Sequence, residues 1–119
     1  NALTAAQRLL IPVQAEYYAA QSLRQIIRLV QLVRRKTNPG LTYQIVVTMY
    51  DQRNRVSRLL LEQLQASLNG RLLQTIIGID TRLKECPAFG QPITTYAPQT
   101  RAARQYRALA QEIMSCNYP

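Results

Sequence analysis

The sequence predicts an α/β protein, with a parallel sheet of three to four strands flanked by helices. Three observations carry this. Short apolar or β-branched runs, RLLIPVQ at 8–14, YQIVVTMY at 43–50 and LLQTIIGI at 72–79, alternate with longer amphipathic stretches. Those stretches are long enough for the crossover helices that parallel pairing requires. The chain has 119 residues, 47% of them hydrophobic, with no repeat and no low-complexity linker, so 1–119 reads as a single domain.

In chain order, a helix is expected over 17–36. Leu23, Ile26, Ile27, Val30 and Val33 form its inward stripe, Arg24, Arg28, Arg34 and Arg35 lie largely off it, and Asn38-Pro39-Gly40 stops it. The helix after the second strand turns Val56, Leu59, Leu60, Leu64 and Leu68 inward and ends at Asn69-Gly70. DTRLKECPAFGQP, interrupted by Pro87, Gly90 and Pro92, reads as irregular, and ITTY at 93–96 as a fourth strand at the sheet edge. A last helix is expected from Thr100, an N-cap after Pro98, to about Cys116, with Ala103, Tyr106, Leu109, Ala110 and Ile113 inward.

Net charge is +9, from 15 Lys+Arg against 6 Asp+Glu. Nearly all the cations are arginine, which grips phosphate bidentately. This points to an anionic partner, nucleic acid before membrane, with a merely solvated basic surface as the other reading. There is no His, and Cys86 and Cys116 lie far apart, so no metal site is expected and the two thiols read as reduced and cytosolic. No apolar run is long enough for a transmembrane helix. The start, NALTAAQRLL, has neither a signal-peptide pattern nor a Met, which suggests a processed or cloned piece.

Ligands of parallel α/β sheets bind outside the carboxyl ends of the strands. Three loops leave such ends: Gln14-Ala15-Glu16, Asp51 to Arg55, and Gly78 to Lys84. They bring Glu16, Asp51, Asp80, Arg53, Arg55, Arg82 and Lys84 to one edge. Arg53 and Arg55 stand at the positive end of a helix dipole, where cations are disfavoured by a few tenths of a kcal/mol each. Service to an external phosphate would explain them. Arg101, Arg104 and Arg107 read as a solvated face of the last helix, with phosphate contact as the alternative. No catalytic residues are expected: without His there is no nucleophile–base pair, no GxxxxGK[ST] or GxGxxG loop occurs, and Glu16 with Asp51 across two loops is too little for acid–base chemistry.

The edge loops carry a resemblance. NALTAAQRLLIPVQAEYYA, TMYDQRN, RLKECPAFGQPI and the closing RAARQYRALAQE resemble, in order and over essentially the whole chain, the C-terminal half of ParA/Soj-type chromosome and plasmid partitioning ATPases. The resemblance implies part of a P-loop-type sheet of the deviant Walker A, SIMIBI-like class, without the lysine-bearing loop. ATP and Mg²⁺ would be cofactors of the full-length parent, with none expected for this chain alone and no ATP hydrolysis by it. The strand matching 8–14 would lie inside the parent's sheet.

By the same resemblance, Arg53 and Arg82 match arginines that contribute to non-specific binding of double-stranded DNA, and Arg55 and Lys84 are additions beside them. Glu16 and Tyr17 match a loop near the nucleotide and the dimer face. Met49, Tyr50 and Asp51, with Gly78, Ile79 and Asp80, correspond to the base side of the nucleotide site. Gly78-Ile79-Asp80 departs there from the family's Pro-Arg-Asn, and Lys84-Glu85-Cys86-Pro87 from its Ser-Glu-Ala-Pro. The implied partners are DNA, a ParB-like protein and a second copy in a homodimer, in the cytoplasm and on the nucleoid. The end, SCNYP, lacks the basic membrane helix of the related MinD branch, so no membrane partner is expected. The alternative is a stand-alone basic interaction or DNA-binding module without nucleotide chemistry.

Overall fold

A computed structural model describes residues 2–68 and 70–115. The elements are α1 (Ala2–Ala5), β1 (Arg8–Gln14), α2 (Ala19–Lys36), β2 (Thr42–Tyr50), α3 (Arg55–Ser67), β3 (Leu72–Gly78), α4 (Thr81–Phe89), α5 (Ile93–Tyr96) and α6 (Arg101–Ser115). The strands pair in parallel in the order β1-β2-β3.

The central strand, β2, is covered on both faces, and its unbroken apolar run is what such a strand requires. On one face Ile11 and Val13 of β1 and Tyr43, Ile45 and Val47 of β2 pack with Leu23, Val30 and Val33 of α2 and Leu60 and Leu64 of α3. On the other, Val46, Leu73 and Ile77 meet Leu109 of α6, with Leu83 and Ile113 at the margin. A third cluster, Cys86, Ile93, Ala102 and Ala103, joins α4, α5 and α6. Burial of a side chain such as Ile45 or Ile77 contributes about 1.5–3 kcal/mol.

Two expected elements are corrected. The segment from Thr81 to Phe89 is a helix, and ITTY is a helical turn, not a fourth strand. Asp80 caps α4 at its start, and Gly90, with φ 63°, ends it by donating to Cys86 and Pro87 carbonyls. Pro87 falls in the last turns of α4, where it does not stop the helix. The β-branched ITTY has no strand beside it, and Ile93 is buried instead among the α6 alanines.

Several inward assignments also change. Val56, Leu59, Ile26 and Tyr106 are 44%, 47%, 39% and 37% exposed, and Ala110 is exposed. Each sits on the flank of its helix beside a buried neighbour, so periodicity drew the stripe too wide. Thr100 caps α6, its hydroxyl accepting from the Ala103 amide at 3.2 Å. Cys116 and Asn69 lie outside the described residues.

The pairing of β3 is irregular. Ile45 faces Leu72 and Val47 faces Ile76, so two steps on β2 span four on β3. The displaced amides of Gln74 and Thr75 donate instead to the Glu112 carboxylate of α6, at 2.7 and 2.9 Å. Toward the strand ends the excess reverses: Val47 to Tyr50 spans three steps against two from Ile76 to Gly78, and Met49 takes a left-handed φ of 56°. The Gly78 amide then donates to Gln105 Oε1 at 2.9 Å. Side chains of α6 thus satisfy three β3 amides.

Partial burial raises the Glu112 carboxyl, but hydrogen bonds from the Thr75 side chain and the Gln74 and Thr75 amides outweigh it and hold the group below its ordinary value. Its contribution is therefore complete above that ordinary value and is lost as pH falls through the lower, folded one. Glu112→Gln should cost about 1–2 kcal/mol at neutral pH, and denaturant titrations of the two proteins should converge in acid.

Among the described residues β1 pairs with β2 alone. Leu10, 38% exposed, and the exposed Pro12 lie on the α6 side of the sheet, opposite the buried Ile11 and Val13. Beside this edge Ser22 and Ile26 of α2 share a depression with Pro12 and Val13. A strand edge with apolar flanks is a template for pairing. The isolated chain is expected to self-associate, and light scattering that shows only monomer at high micromolar concentration would contradict this.

Candidate nucleic-acid and nucleotide interface

β2 and β3 end side by side. Tyr50 pairs with Gly78, and the Ile79 amide donates to the Tyr50 carbonyl at 2.9 Å. Each strand then turns through the same pattern, Asp-x-Arg. Asp51 accepts from the Arg53 amide at 3.0 Å and from its Nε at 3.4 Å. Asp80 accepts from the Arg82 amide at 2.9 Å and from its Nε at 3.3 Å. The arginine side chains are 85% and 50% exposed, their acids 28% and 8%. The Arg82 amide lowers the Asp80 carboxyl from its ordinary value against the effect of burial, helped by the charges of Arg82 and Arg101.

The start of α3 is built around the first turn. Asn54 Oδ1 accepts from the amides of Val56 and Ser57 at 2.8 and 3.4 Å. The buried Ser57 hydroxyl donates to the Ala15 carbonyl at 3.1 Å, tying α3 to the end of β1. Arg58 Nη1 clamps the Gln52 carbonyl at 2.7 Å.

Between these strand ends and the first turns of α6 lies an open cleft of about 530 Å³, lined by Tyr50, Asp51, Arg53, Ile79, Arg101 and Gln105 among others. Arg101 Nη2 donates to the Ile79 carbonyl at 3.3 Å. A Cβ on Gly78 would stand 3.5 Å from Arg101 Nη2 and 3.6 Å from Gln105 Nε2. Glycine there lets α6 approach the strand end, and a side chain longer than alanine would push both groups away.

Of the residues singled out in the sequence, Tyr50, Asp51, Arg53, Gly78 and Ile79 share this cleft. Met49 stands one residue behind, half-buried at the bulge. Asp80 is tucked beneath Arg82. Glu16 and Tyr17 lie at the end of β1 and are not among the cleft residues. Tyr17 is 77% exposed and meets Tyr18 edge-on at 5.0 Å. Arg55 opens α3 and is exposed. Lys84 is on α4, roughly 200° round the helix from Arg82, so the two do not share a face. Neither the Arg55 nor the Lys84 side chain makes a hydrogen bond or ion pair among the described residues.

The roles of Gln105 and of the Arg58 guanidinium are not legible in the sequence, because their partners, the Gly78 amide and the Gln52 carbonyl, are backbone groups brought close only by the fold or by a turn. Arg101, Arg104 and Arg107 do not simply point to water: the latter two donate to the carbonyls of Gln99 and Pro98 at 3.0 and 2.9 Å. Among the described residues no group of three acidic, His or Cys side chains is placed to hold a metal ion, and no helix is long and apolar enough to cross a membrane.

Residues 1–43 match a family model described as an AAA domain. Over the whole chain, the chromosome partitioning protein ParA of Myxococcus xanthus is 36% identical across 120 aligned residues, which make up 42% of that protein. The chromosome-partitioning ATPase Soj of Thermus thermophilus is 40% identical over 97% of this chain and 47% of its own length. The chain belongs to the ParA/Soj family. It spans somewhat under half the length of these relatives. Among solved structures, cobyrinic acid a,c-diamide synthase from Mycobacterium smegmatis superposes with a TM-score of 0.71 at 25% identity, covering 96% of this chain and 40% of that one. That enzyme has also been solved with bound ADP and magnesium. A plasmid partition protein from Borrelia burgdorferi, at 22% identity over 96% of this chain and 39% of its own, shares the fold with a TM-score of 0.63.

Within this ParA/Soj segment, Gln105 joins α6 to the strand end that forms the cleft floor. Gln105→Leu would strand the buried Gly78 amide, which costs about 1–3 kcal/mol. Thermal denaturation should show that loss, and hydrogen exchange should speed up at Gly78 before it does at the central β2 amides.

Proposed function

We propose that this chain is the C-terminal part of a ParA/Soj-type partition ATPase and carries the surface by which the whole protein holds non-specific double-stranded DNA. In the whole protein, ATP-dependent dimerisation would present that surface twice, a ParB-like protein would stimulate turnover, and the complex would work on the nucleoid in the cytoplasm. Avidity from the paired surfaces would make the dimer's hold far tighter than one copy's.

The observation that carries the reading is the pair of exposed arginines, Arg53 and Arg82, held in the same geometry at two adjacent strand ends. A second supports it. α3 and α6 begin with an arginine, α4 has one at its second residue, and none has an acid in its first turn. Cations there oppose the helix dipoles, an arrangement that an external anion would relieve. Phosphate contacts of this kind position a protein on DNA without reading its sequence.

The cleft suits the base of a nucleotide: Tyr50, Ile76 and Ile79 offer apolar walls, and Gln105 and Arg101 offer donors. The 119 residues contain no GxxxxGK[ST] loop, and the chain alone is expected to hydrolyse no ATP. In the whole protein ATP with Mg²⁺ would supply the phosphate charge that drives the dimer. The alternative, a basic module without nucleotide chemistry, shares the DNA surface and gives no role to the cleft.

Arg53→Ala and Arg82→Ala should each weaken binding of random-sequence duplex DNA and each flatten the log K against log[salt] slope by roughly 0.9. The loss should be the same for unrelated sequences. Unchanged affinity and slope in both variants would remove the DNA-binding assignment.

A further inference from the structure

We infer that Asp51 and Asp80 are positioning residues for Arg53 and Arg82, so that two acids on a basic surface strengthen its grip on DNA instead of weakening it. The inference rests on the DNA-binding reading above. Both turns use the same device. One carboxylate oxygen takes the main-chain amide of the residue two positions on and also that residue's Nε, at 3.0 and 3.4 Å for Asp51 and at 2.9 and 3.3 Å for Asp80. A guanidinium has five N–H donors. This contact uses the inner one and leaves both Nη groups for a ligand outside.

Two effects oppose each other. A carboxylate near a phosphate repels it. A carboxylate that fixes an arginine spares the rotamer freedom the arginine would otherwise lose on binding. Burial and pairing decide between them. Asp80 is only 8% exposed, beneath an Arg82 that is 50% exposed. Its charge is balanced by Arg82 and by Arg101 nearby, so little of it reaches an outside anion. Asp51 is more open, at 28%, and its repulsion is less well screened. The positioning effect is therefore larger at Asp80.

Asn is as good a helix cap as Asp and forms the same turn, so Asp→Asn removes the ion pair and spares the fold. The test uses the 119-residue chain and random-sequence duplex, with fluorescence anisotropy across a salt series. Asp80→Asn should weaken binding by about two- to five-fold, the range of an exposed ion pair, although it adds one unit of positive net charge. The salt slope should not fall, because the number of phosphates contacted is unchanged. In an Arg82→Ala background Asp80→Asn should produce no loss. Asp51→Asn should follow the same pattern more weakly, with its loss abolished by Arg53→Ala. Tighter binding by the single Asp→Asn variants, or an equal loss in the Arg→Ala backgrounds, would overturn the inference. If Arg→Ala weakens binding and Asp→Asn does not, the positioning role alone fails. If Arg→Ala changes nothing, the DNA-binding reading fails and takes this inference with it.

Discussion

Two side chains of α6, Glu112 and Gln105, hold β3 in the sheet where the backbone ladder cannot. Four residues of β3 are set against two of β2, which leaves the amides of Gln74 and Thr75 without strand partners, and Glu112 receives both. Gln105 does the same for Gly78 at the end of the strand. Because Gly78 pairs with Tyr50, the position of α6 fixes where β2 and β3 finish relative to each other. The Asp51 and Asp80 turns start one and two residues later. The placement of Arg53 and Arg82 at adjacent strand ends, and the cleft between Arg53 and Arg101, follow from that clamp. The apolar contacts of Leu109 and Ile113 give α6 its affinity for the sheet, and the two polar contacts give it its register.

The strands and the two long crossover helices were legible in the sequence because their signals are local and periodic. Runs such as YQIVV suit a strand covered on both faces, and Leu23, Val30 and Val33 repeat at helical spacing. The segment from Thr81 to Tyr96 was not. Its Pro and Gly residues suggested a loop, yet Asp80 and Gly90 stand where a helix's two caps stand. The capping signal was present and was outweighed by the breakers. Of the site, the residues that leave the strand ends were visible, since topology alone brings them to one edge. What the side chains do there was not. The pairing of each Asp with the Arg two residues on, the clamp of Arg58 on Gln52, and the reach of Arg101 and Gln105 to β3 depend on turn geometry and helix placement that no spacing rule encodes. In a loop Lys84 would stand beside Arg82; as part of α4 it faces elsewhere.

A second basic surface competes for the same role. α2 carries Arg24, Arg28, Arg34, Arg35 and Lys36 and no acid. By charge alone it would attract a polyanion at least as strongly as the strand ends do. The strand-end surface differs in being built: its arginines are held by Asp51 and Asp80, stand on turns fixed by the clamp of α6, and oppose helix dipoles that a bound anion would relieve. The measurement that separates the two is residue-resolved mapping of the amide resonances of the chain during titration with a random-sequence duplex. The account predicts that the largest shifts fall at 51–55 and 80–83, with α2 moving little and last. Shifts concentrated between Arg24 and Lys36, with the two Asp-x-Arg turns unmoved, would contradict it.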